Sequence, residues 1–160
     1  MIDIYIASDH AGIDLKKKLT SYLQDPTWLC QINRKIYDLG PQSKDSVDYP
    51  DFADLVCRKI PAAPNPKTFT PRLEVMGILI CGSGQGMAMR ANKFLHIRAA
   101  LCDSKEISRL SREHNDANVL CLGARFVDVQ LASEILRSFL TTDFGGGRHA
   151  KRVSKLNLPI

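Results

Sequence analysis

Short apolar runs alternate along the chain with segments of amphipathic pattern. Five runs are rich in Ile, Leu, Val and Ala and predict buried β-strands: residues 2–8, 35–40, 75–81, 97–102 and 118–124. Each run precedes a segment whose spacing is typical of a helix: residues 11–24, 49–60, 86–93, 104–114 and 128–142. Strands that alternate with helices form parallel sheets, and near-continuous apolar strands suit burial on both faces. The pattern therefore predicts an α/β fold, a three-layer sandwich in which helices cover both faces of a five-stranded parallel sheet.

Two segments lie outside this alternation. Residues 61–72 contain four prolines and predict a solvated loop, because proline fits neither a helix interior nor a central strand. Residues 143–160 form a tail with a glycine run and four cations, Arg148, His149, Lys151 and Arg152. The tail is either solvated or folded over the carboxyl edge of the sheet. In the second case Arg148 and Arg152, one helical turn apart, could clamp a phosphate.

The composition is that of one globular domain. The chain has 160 residues, of which 44% are hydrophobic, and it shows no internal repeat. No apolar run approaches the roughly 18–20 residues of a membrane span, and the N-terminus lacks the basic start of a signal peptide. We therefore expect a single cytoplasmic domain over residues 1–160.

Charge and cysteine content narrow the class of ligand. The net charge of +5 fits nucleic acid or a small anionic substrate, but the basic residues are scattered, which argues against nucleic acid. The five cysteines are odd in number and lack the paired spacing of a zinc site or a disulfide framework. We expect Cys30, Cys57 and Cys121 to be buried thiols in a reducing compartment.

Ligands of doubly wound sheets bind beyond the carboxyl ends of the strands, so the residues that follow each predicted strand are candidates for chemistry. Asp9 and His10 follow the first strand, Cys81 ends the third, and Arg125 follows the fifth. Asp9 either caps the next helix or serves a ligand. His10 either lies on the surface or serves the same ligand, and the residues alone leave both possibilities open.

The stretch after Cys81 carries alternating glycines, Gly82, Gly84 and Gly86. Glycines at this spacing allow a tight turn whose N–H groups point into one concavity, and so they predict an anion-binding nest. The spacing fits neither a P-loop nor the dinucleotide fingerprint. Such N–H groups would lower the pKa of a thiol, which makes Cys81 a candidate nucleophile, redox centre or proton-accepting base. A buried core cysteine is the alternative.

A second candidate pair ends the predicted helix before the fifth strand. His114 and Asn115 stand in the stretch SREHNDANV. His114 is either a partner of the helix C-terminus or an acid–base group, and periodicity does not decide between the two.

Several motifs together resemble one family. They occur in the order and approximate spacing of the type B ribose 5-phosphate isomerases, the RpiB/LacAB sugar-phosphate isomerases: ASDHAG, VDYPDFA, ILICGSGQGMAMRANK, IRAALC, SREHNDANV and GGRHAKRV. The resemblance covers nearly the whole chain and implies a Rossmann-like domain that forms homodimers or homotetramers with shared active sites. It also implies interconversion of D-ribose 5-phosphate and D-ribulose 5-phosphate, a pentose phosphate pathway step, through a cis-enediolate and without metal or cofactor.

The resemblance implies catalytic roles for three side chains. Cys81 matches the base that moves a proton between C2 and C1 of the sugar, and Ser83 matches the hydroxyl residue beside it. The loop amides from Gly82 to Gly86 match those that hold the negative charge of the enediolate. His114 matches the histidine that opens the furanose ring.

The other matches imply contacts with substrate. The implied phosphate ligands are His10, Arg125, Arg148 and Arg152, and the implied sugar ligands are Asp9, Tyr49 and Asn115. Gln85 brings a polar side chain to a loop position that is often small or apolar in the family, which leaves its contact with substrate open. Because family members share sites between subunits, residues 143–160 are expected to pack on a partner. Residues 24–30 and 61–72 look longer than in compact members and are interpreted as surface insertions.

Three alternatives compete with this interpretation, and the sequence argues against the second and the third. The first alternative is that the substrate is a six-carbon aldose phosphate, such as allose 6-phosphate or galactose 6-phosphate. Pocket depth separates this alternative from a five-carbon substrate, and the sequence does not show that depth. A non-catalytic phosphosugar-binding protein would lack Cys81 or His114, and both are present. A thiol redox protein would carry a resolving cysteine close to Cys81, and the chain has no CxxC motif.

Overall fold

The computed structural model describes residues 1–62 and 74–156, in which five strands alternate with helices. In chain order the elements are β1 (Ile2–Ser8), a 3₁₀ turn (His10–Gly12), α1 (Ile13–Gln24), β2 (Arg34–Asp38), α2 (Tyr49–Cys57), β3 (Val75–Cys81), α3 (Gln85–Ala91), β4 (Ala99–Leu101), α4 (Lys105–Asn115), β5 (Val119–Gly123), α5 (Val129–Thr141) and α6 (Arg148–Leu156). The five predicted strands and their five following helices are confirmed. The prediction for residues 61–72 falls mostly on residues outside the described part.

The strands form one parallel sheet in the order β2-β1-β3-β5-β4. β3 lies at its centre, pairing Ile78 with Ile6 of β1 on one side and with Leu120 of β5 on the other. This arrangement confirms the predicted α/β sandwich. All strands of a parallel sheet end at the same edge, so the turns after β1, β3, β4 and β5 share the carboxyl edge.

The strands bury side chains on both faces of the sheet. Ile4, Ile78 and Leu120 belong to a core cluster that includes residues of α1 and α5. Leu79 and Cys121 belong to a second cluster, which includes residues of α2 and α3. Because successive strand residues point to opposite faces, near-continuous apolar strands supply both clusters.

The tail of the chain contains a helix. Residues 148–156 form α6, which packs against α4 and whose Val153 is buried. The N–H of Gly145 donates to the carbonyl oxygen of Glu113 at 2.9 Å and ties the start of this segment to the end of α4. The solvated alternative is therefore wrong for these residues, and their packing on a partner stays a prediction.

Residues 24–30 are not a surface insertion as a whole, because their centre belongs to the core. Trp28 and Leu29 are buried, and Arg34 donates hydrogen bonds to the carbonyl oxygens of both. The guanidinium of Arg137 on α5 also lies over the Trp28 ring. The prediction of a buried Cys30 is likewise wrong, since Cys30 is exposed, whereas the predicted burial of Cys57 and Cys121 is confirmed.

Candidate active site

Asp9 stands directly after β1 at the carboxyl edge. Its Oδ1 accepts the N–H groups of Ala11 at 2.9 Å and Gly12 at 3.0 Å, so the carboxylate caps the 3₁₀ turn. Only 7% of the residue is exposed. The predicted capping role is confirmed, and a role toward a ligand would use the second carboxylate oxygen, Oδ2.

His10 is oriented by the loop that follows β2. The N–H of Val47 donates to its Nδ1 at 3.3 Å, so the neutral ring carries its proton on Nε2. The loop itself is held by the fully buried Lys16, whose Nζ donates to Asp38 Oδ1 at 2.5 Å and to the carbonyl oxygen of Pro41 at 2.9 Å. The contact with Val47 leaves Nε2 as the N–H donor of a ring that stands at the carboxyl edge.

Cys81 is the last residue of β3, and the glycine turn closes over its sulfur. The N–H of Gly84 donates to Sγ at 3.1 Å. Gly84 has a φ of 76°, in the left-handed region, and a Cβ there would lie 2.4 Å from Leu101 Cδ1. Only glycine fits this position without moving its neighbours. The backbone therefore points a partial positive charge at the sulfur.

The other two glycines of the turn make room for side chains of the site. A Cβ at Gly86 would lie 2.5 Å from Cζ of Tyr49, and one at Gly82 would lie 3.0 Å from Cζ of Arg125. Tyr49 and Arg125 thus pack directly against the turn. The structure brings together what we call the carboxyl-edge group: Asp9, His10, Tyr49, Cys81, residues 82–86 and Arg125.

Ser83 and Gln85 of the turn border a cleft. Both are exposed and line this cleft of about 560 Å³, together with Leu101, Asp103 and Phe126. The Oγ of Ser83 accepts the N–H of Gln85 at 3.4 Å. Gln85 therefore borders open space beside the turn.

The thiols of Cys57, Cys102 and Cys121 have raised pKa values. Burial raises the pKa of Cys57 to about 12 and that of Cys102 to about 11, and it raises the pKa of Cys121 well above its ordinary value. These thiols stay protonated at neutral pH. Cys81 differs from them in place and partner, because its sulfur lies at the carboxyl edge and accepts a backbone N–H.

His114 and Asn115 lie at the opposite edge of the sheet. Helix α4 connects the parallel strands β4 and β5, so it runs against the strands and ends where β5 begins. Asp116 follows it in the left-handed conformation, with a φ of 48°. Its buried carboxylate pairs with Arg112 at 2.9 Å and with Arg98, directly before β4, at 2.8 Å. These ion pairs fix the end of α4 at the amino edge.

Helix α6 adds its cations to the same edge. The His149 ring stacks on the His114 ring with centroids 4.3 Å apart and an interplanar angle of 5°. Desolvation and the nearby His114, Arg148 and Arg152 lower the pKa of His149. We call His114, Asn115, Arg148, His149 and Arg152 the amino-edge group.

The predicted site residues therefore fall into two groups within one chain. β3 and β5, which run between the two edges, have seven and five residues, which corresponds to roughly 13–20 Å at about 3.3 Å per residue. The alternative that the tail folds over the carboxyl edge of its own sheet is wrong, because α6 packs on the end of α4. Sequence reasoning also missed the stacking of His149, for which the only signal was its place in GGRHAKRV.

The described residues contain neither a candidate metal cluster nor a candidate membrane span. Across residues 1–62 and 74–156, no three histidine, cysteine or acidic side chains are grouped so that they could hold a metal ion. In the same part of the chain, no helix has the length and apolar character needed to cross a membrane.

Comparison with known proteins places the chain in a family. The sequence profile of the Ribose/Galactose Isomerase family matches residues 4–156, which include both edge groups. The chain belongs to this family. The family's description names isomerisation of the sugars ribose and galactose.

Individual relatives of this isomerase family agree over nearly their whole length. A probable ribose 5-phosphate isomerase B from Mycoplasma pneumoniae is 44% identical over 96% of this chain and 91% of the relative. The solved ribose 5-phosphate isomerase B from Anaplasma phagocytophilum is 43% identical, with a TM-score of 0.81 over 96% of this chain and 95% of that one. The Mycoplasma genitalium enzyme, solved with bound ribulose 5-phosphate, is 41% identical, with a TM-score of 0.82 over 98% and 94%.

Proposed function

We propose that this protein is a ribose 5-phosphate isomerase that interconverts D-ribose 5-phosphate and D-ribulose 5-phosphate. Its family, relatives named for this activity and the ribulose 5-phosphate bound in the Mycoplasma genitalium structure support the proposal. The observation that carries the proposal is the hydrogen bond from the N–H of Gly84 to the sulfur of Cys81, the last residue of the central strand. Proton transfer through an anionic intermediate needs a base placed beside backbone donors.

In the proposed reaction the Cys81 thiolate takes the C2 proton of the open-chain aldehyde. The electron pair of the C–H bond forms the C1–C2 double bond, and negative charge moves to O1, where the N–H groups of residues 82–86 stabilise it. A proton then passes from O2 to O1, with the Ser83 hydroxyl on the same turn as the proposed carrier. The C2 carbonyl forms, and the thiol returns its proton to C1.

Substrate recognition follows from the donors at the carboxyl edge. The Nε2–H of His10 and the guanidinium of Arg125 supply charge-assisted hydrogen bonds for the phosphate, while Asp9 and Tyr49 serve the sugar oxygens. The reaction is redox-neutral overall, and backbone N–H groups stabilise its negative charge, so we propose catalysis without metal or redox cofactor. All five cysteines are free thiols, which supports a cytoplasmic, reducing location.

The separation of the two edge groups supports sites shared between subunits. A site that needs Cys81 together with His114, Asn115, Arg148 and Arg152 cannot form in one chain across roughly 13–20 Å. In a twofold dimer, the amino edge of one copy can face the carboxyl edge of the other, and symmetry then creates two equivalent sites. We propose such a homodimer, alone or within a homotetramer.

Exposed apolar side chains support this association. Leu55 on α2 and Met89 on α3, two helices that pack together, are 46% and 65% exposed. At the amino edge, Leu95 and Leu156 are also exposed and line a cleft of about 470 Å³ that reaches Asn115. Large exposed apolar side chains such as these suit burial against a second copy.

Ring opening is the role proposed for His114. The histidine takes the proton of the C1 hydroxyl and gives one to the ring oxygen, so the ring C1–O bond breaks and an aldehyde and a hydroxyl form. An imidazole has one nitrogen that can donate a proton and one that can accept a proton, which suits this exchange. Asn115 is proposed to hold sugar oxygens beside it, and Arg148 and Arg152 to hold the phosphate.

A substrate panel tests the proposed function. The purified protein is assayed with five- and six-carbon aldose phosphates, with and without a chelator. We expect turnover of ribose 5-phosphate that the chelator does not change, that Cys81→Ala abolishes, and that the matched buried-thiol variant Cys57→Ala retains. Turnover of allose 6-phosphate or galactose 6-phosphate alone would overturn the substrate assignment. Binding without turnover would reduce the protein to a phosphosugar-binding module.

A further inference from the structure

We infer that His149 is a positioning residue: its imidazole, stacked face to face on that of His114, fixes the orientation of the His114 ring for proton exchange. The inference rests on the ring-opening role proposed above for His114. His149 acts through His114 and needs no contact of its own with the sugar. Its contribution is therefore separable from those of Arg148 and Arg152, its neighbours on α6.

The stack is the contact that restrains an otherwise exposed ring. The side chain of His114 is 37% exposed at the last turn of α4. A side chain of this exposure samples several rotamers unless a partner selects one. The His149 ring covers one face of it at a centroid distance of 4.3 Å and an angle of 5°. Glu113 Oε1 lies 4.0 Å from its Nε2, too far for a hydrogen bond.

The position of His149 is itself determined by packing. Val153, one turn further along α6, is buried, and α6 packs on α4. The N–H of Gly145 binds the carbonyl oxygen of Glu113, and the N–H of His149 binds that of Gly146 at 3.0 Å. The first turn of α6 is thereby docked over the last turn of α4. A ring presented from a docked helix is a better support than one from a loose segment.

The charges around the pair favour a neutral His149. Two stacked imidazolium rings repel each other, and Arg148 and Arg152 of α6 add positive charge. On the α4 side, Glu113 faces the pair and is itself bound by Arg109. Desolvation and these cations lower the pKa of His149, against the opposing effect of Glu113. A neutral His149 ring can therefore stack on the His114 ring without charge repulsion between them.

Substitutions at His149 separate support from chemistry. His149→Phe keeps an aromatic ring that can stack but removes both ring nitrogens, whereas His149→Ala removes the ring. We expect His149→Ala to lower kcat for ribose 5-phosphate about tenfold with KM within about twofold, the size of effect that follows from misplacing a catalytic group. His149→Phe should recover most of that loss. Lys151→Ala, an exposed cation on the same helix, is the matched control and should behave as wild type.

A second readout distinguishes positioning from general damage. Deuterium exchange into ribulose 5-phosphate starts from an open chain and bypasses ring opening, so His149→Ala should retain it within about twofold of wild type. Equal loss of exchange and of ribose turnover would make the role merely structural. Loss in His149→Phe equal to that in His149→Ala would show that a ring nitrogen touches substrate. Wild-type kinetics in His149→Ala would show that the stack is incidental.

An NMR measurement on the free protein keeps the inference apart from the proposed function. The chemical shifts of the His114 ring protons should change in His149→Ala, because the ring current of the stacked partner is lost. In His149→Phe a ring current remains, so these shifts should differ from those in His149→Ala. Unchanged His114 signals in His149→Ala would overturn the inference whatever the enzyme does. Absence of turnover in the wild type, with these shifts present, would instead overturn the proposed function alone.

Discussion

The turn over Cys81 depends on one glycine, and Gly84→Ala tests that dependence. Gly84 has a φ of 76°, which costs a non-glycine residue about 1–2 kcal/mol. Its new Cβ would also lie 2.4 Å from Leu101 Cδ1 and 2.9 Å from the backbone carbon of Leu122. The leucine methyl can move, but the backbone of β5 cannot move freely, and overpacking of this kind costs about 1–3 kcal/mol. We expect Gly84→Ala to destabilise the protein by about 2–5 kcal/mol in total.

Gly146→Ala is a matched control for the backbone cost. Gly146 has a φ of 60°, and a Cβ there meets nothing within 4 Å, so only the left-handed cost of about 1–2 kcal/mol applies. Urea unfolding of both variants at one fixed protein concentration gives the two losses, since association also stabilises. The difference between the losses measures the steric conflict. Equal losses would refute the argument that the turn is closely packed against β4 and β5.

The phosphate clamp, the buried thiols and a helix–helix ion pair each give a further prediction. Arg152→Ala should raise KM by about tenfold or more, and Arg152→Lys should recover it incompletely, because lysine lacks the guanidinium fork; steady-state kinetics decide this. Iodoacetamide at pH 8 should label Cys30 but not Cys57, whose pKa burial raises to about 12; mass spectrometry of digests shows any exception. Arg90 lowers the pKa of Asp54, so the pair stabilises the fold above the ordinary carboxyl pKa of about 4 and stops doing so as the pH falls through the lowered value. Asp54→Asn should therefore cost about 0.5–1 kcal/mol at pH 7, and this cost should shrink as acid unfolding is measured at pH values further below about 4; a loss independent of pH would contradict this sign.

The fold could be predicted because its signals are local. Apolar runs that match buried strands, and three-to-four spacing after each one, placed all ten of these elements within a few residues. Trp28 and Cys30 show where local pattern fails. Trp28 is covered by the guanidinium groups of Arg34, six residues further on, and of Arg137, which is distant in sequence, whereas Cys30, two positions away, is exposed. Neither contact leaves a signal in the segment itself.

The order of elements in the sequence already separates the carboxyl-edge group from the amino-edge group. A helix that joins two parallel strands must end at the amino edge, so the position of His114 before the fifth strand already separated it from Cys81. The docking of α6 on α4 and the stacking of His149 on His114 depend on side-chain packing across the chain. Those contacts require the structure.

Complementation between inactive variants shows whether one site combines the carboxyl edge of one chain with the amino edge of another. Cys81→Ala and His114→Asn are co-expressed with different tags, and the mixed dimer is purified and assayed with ribose 5-phosphate. In the mixed dimer one site carries both substitutions and the other carries neither, so we predict about half the wild-type turnover per dimer. If each site lay within one chain, every site would carry one substitution, and the mixed dimer would be as inactive as its parents.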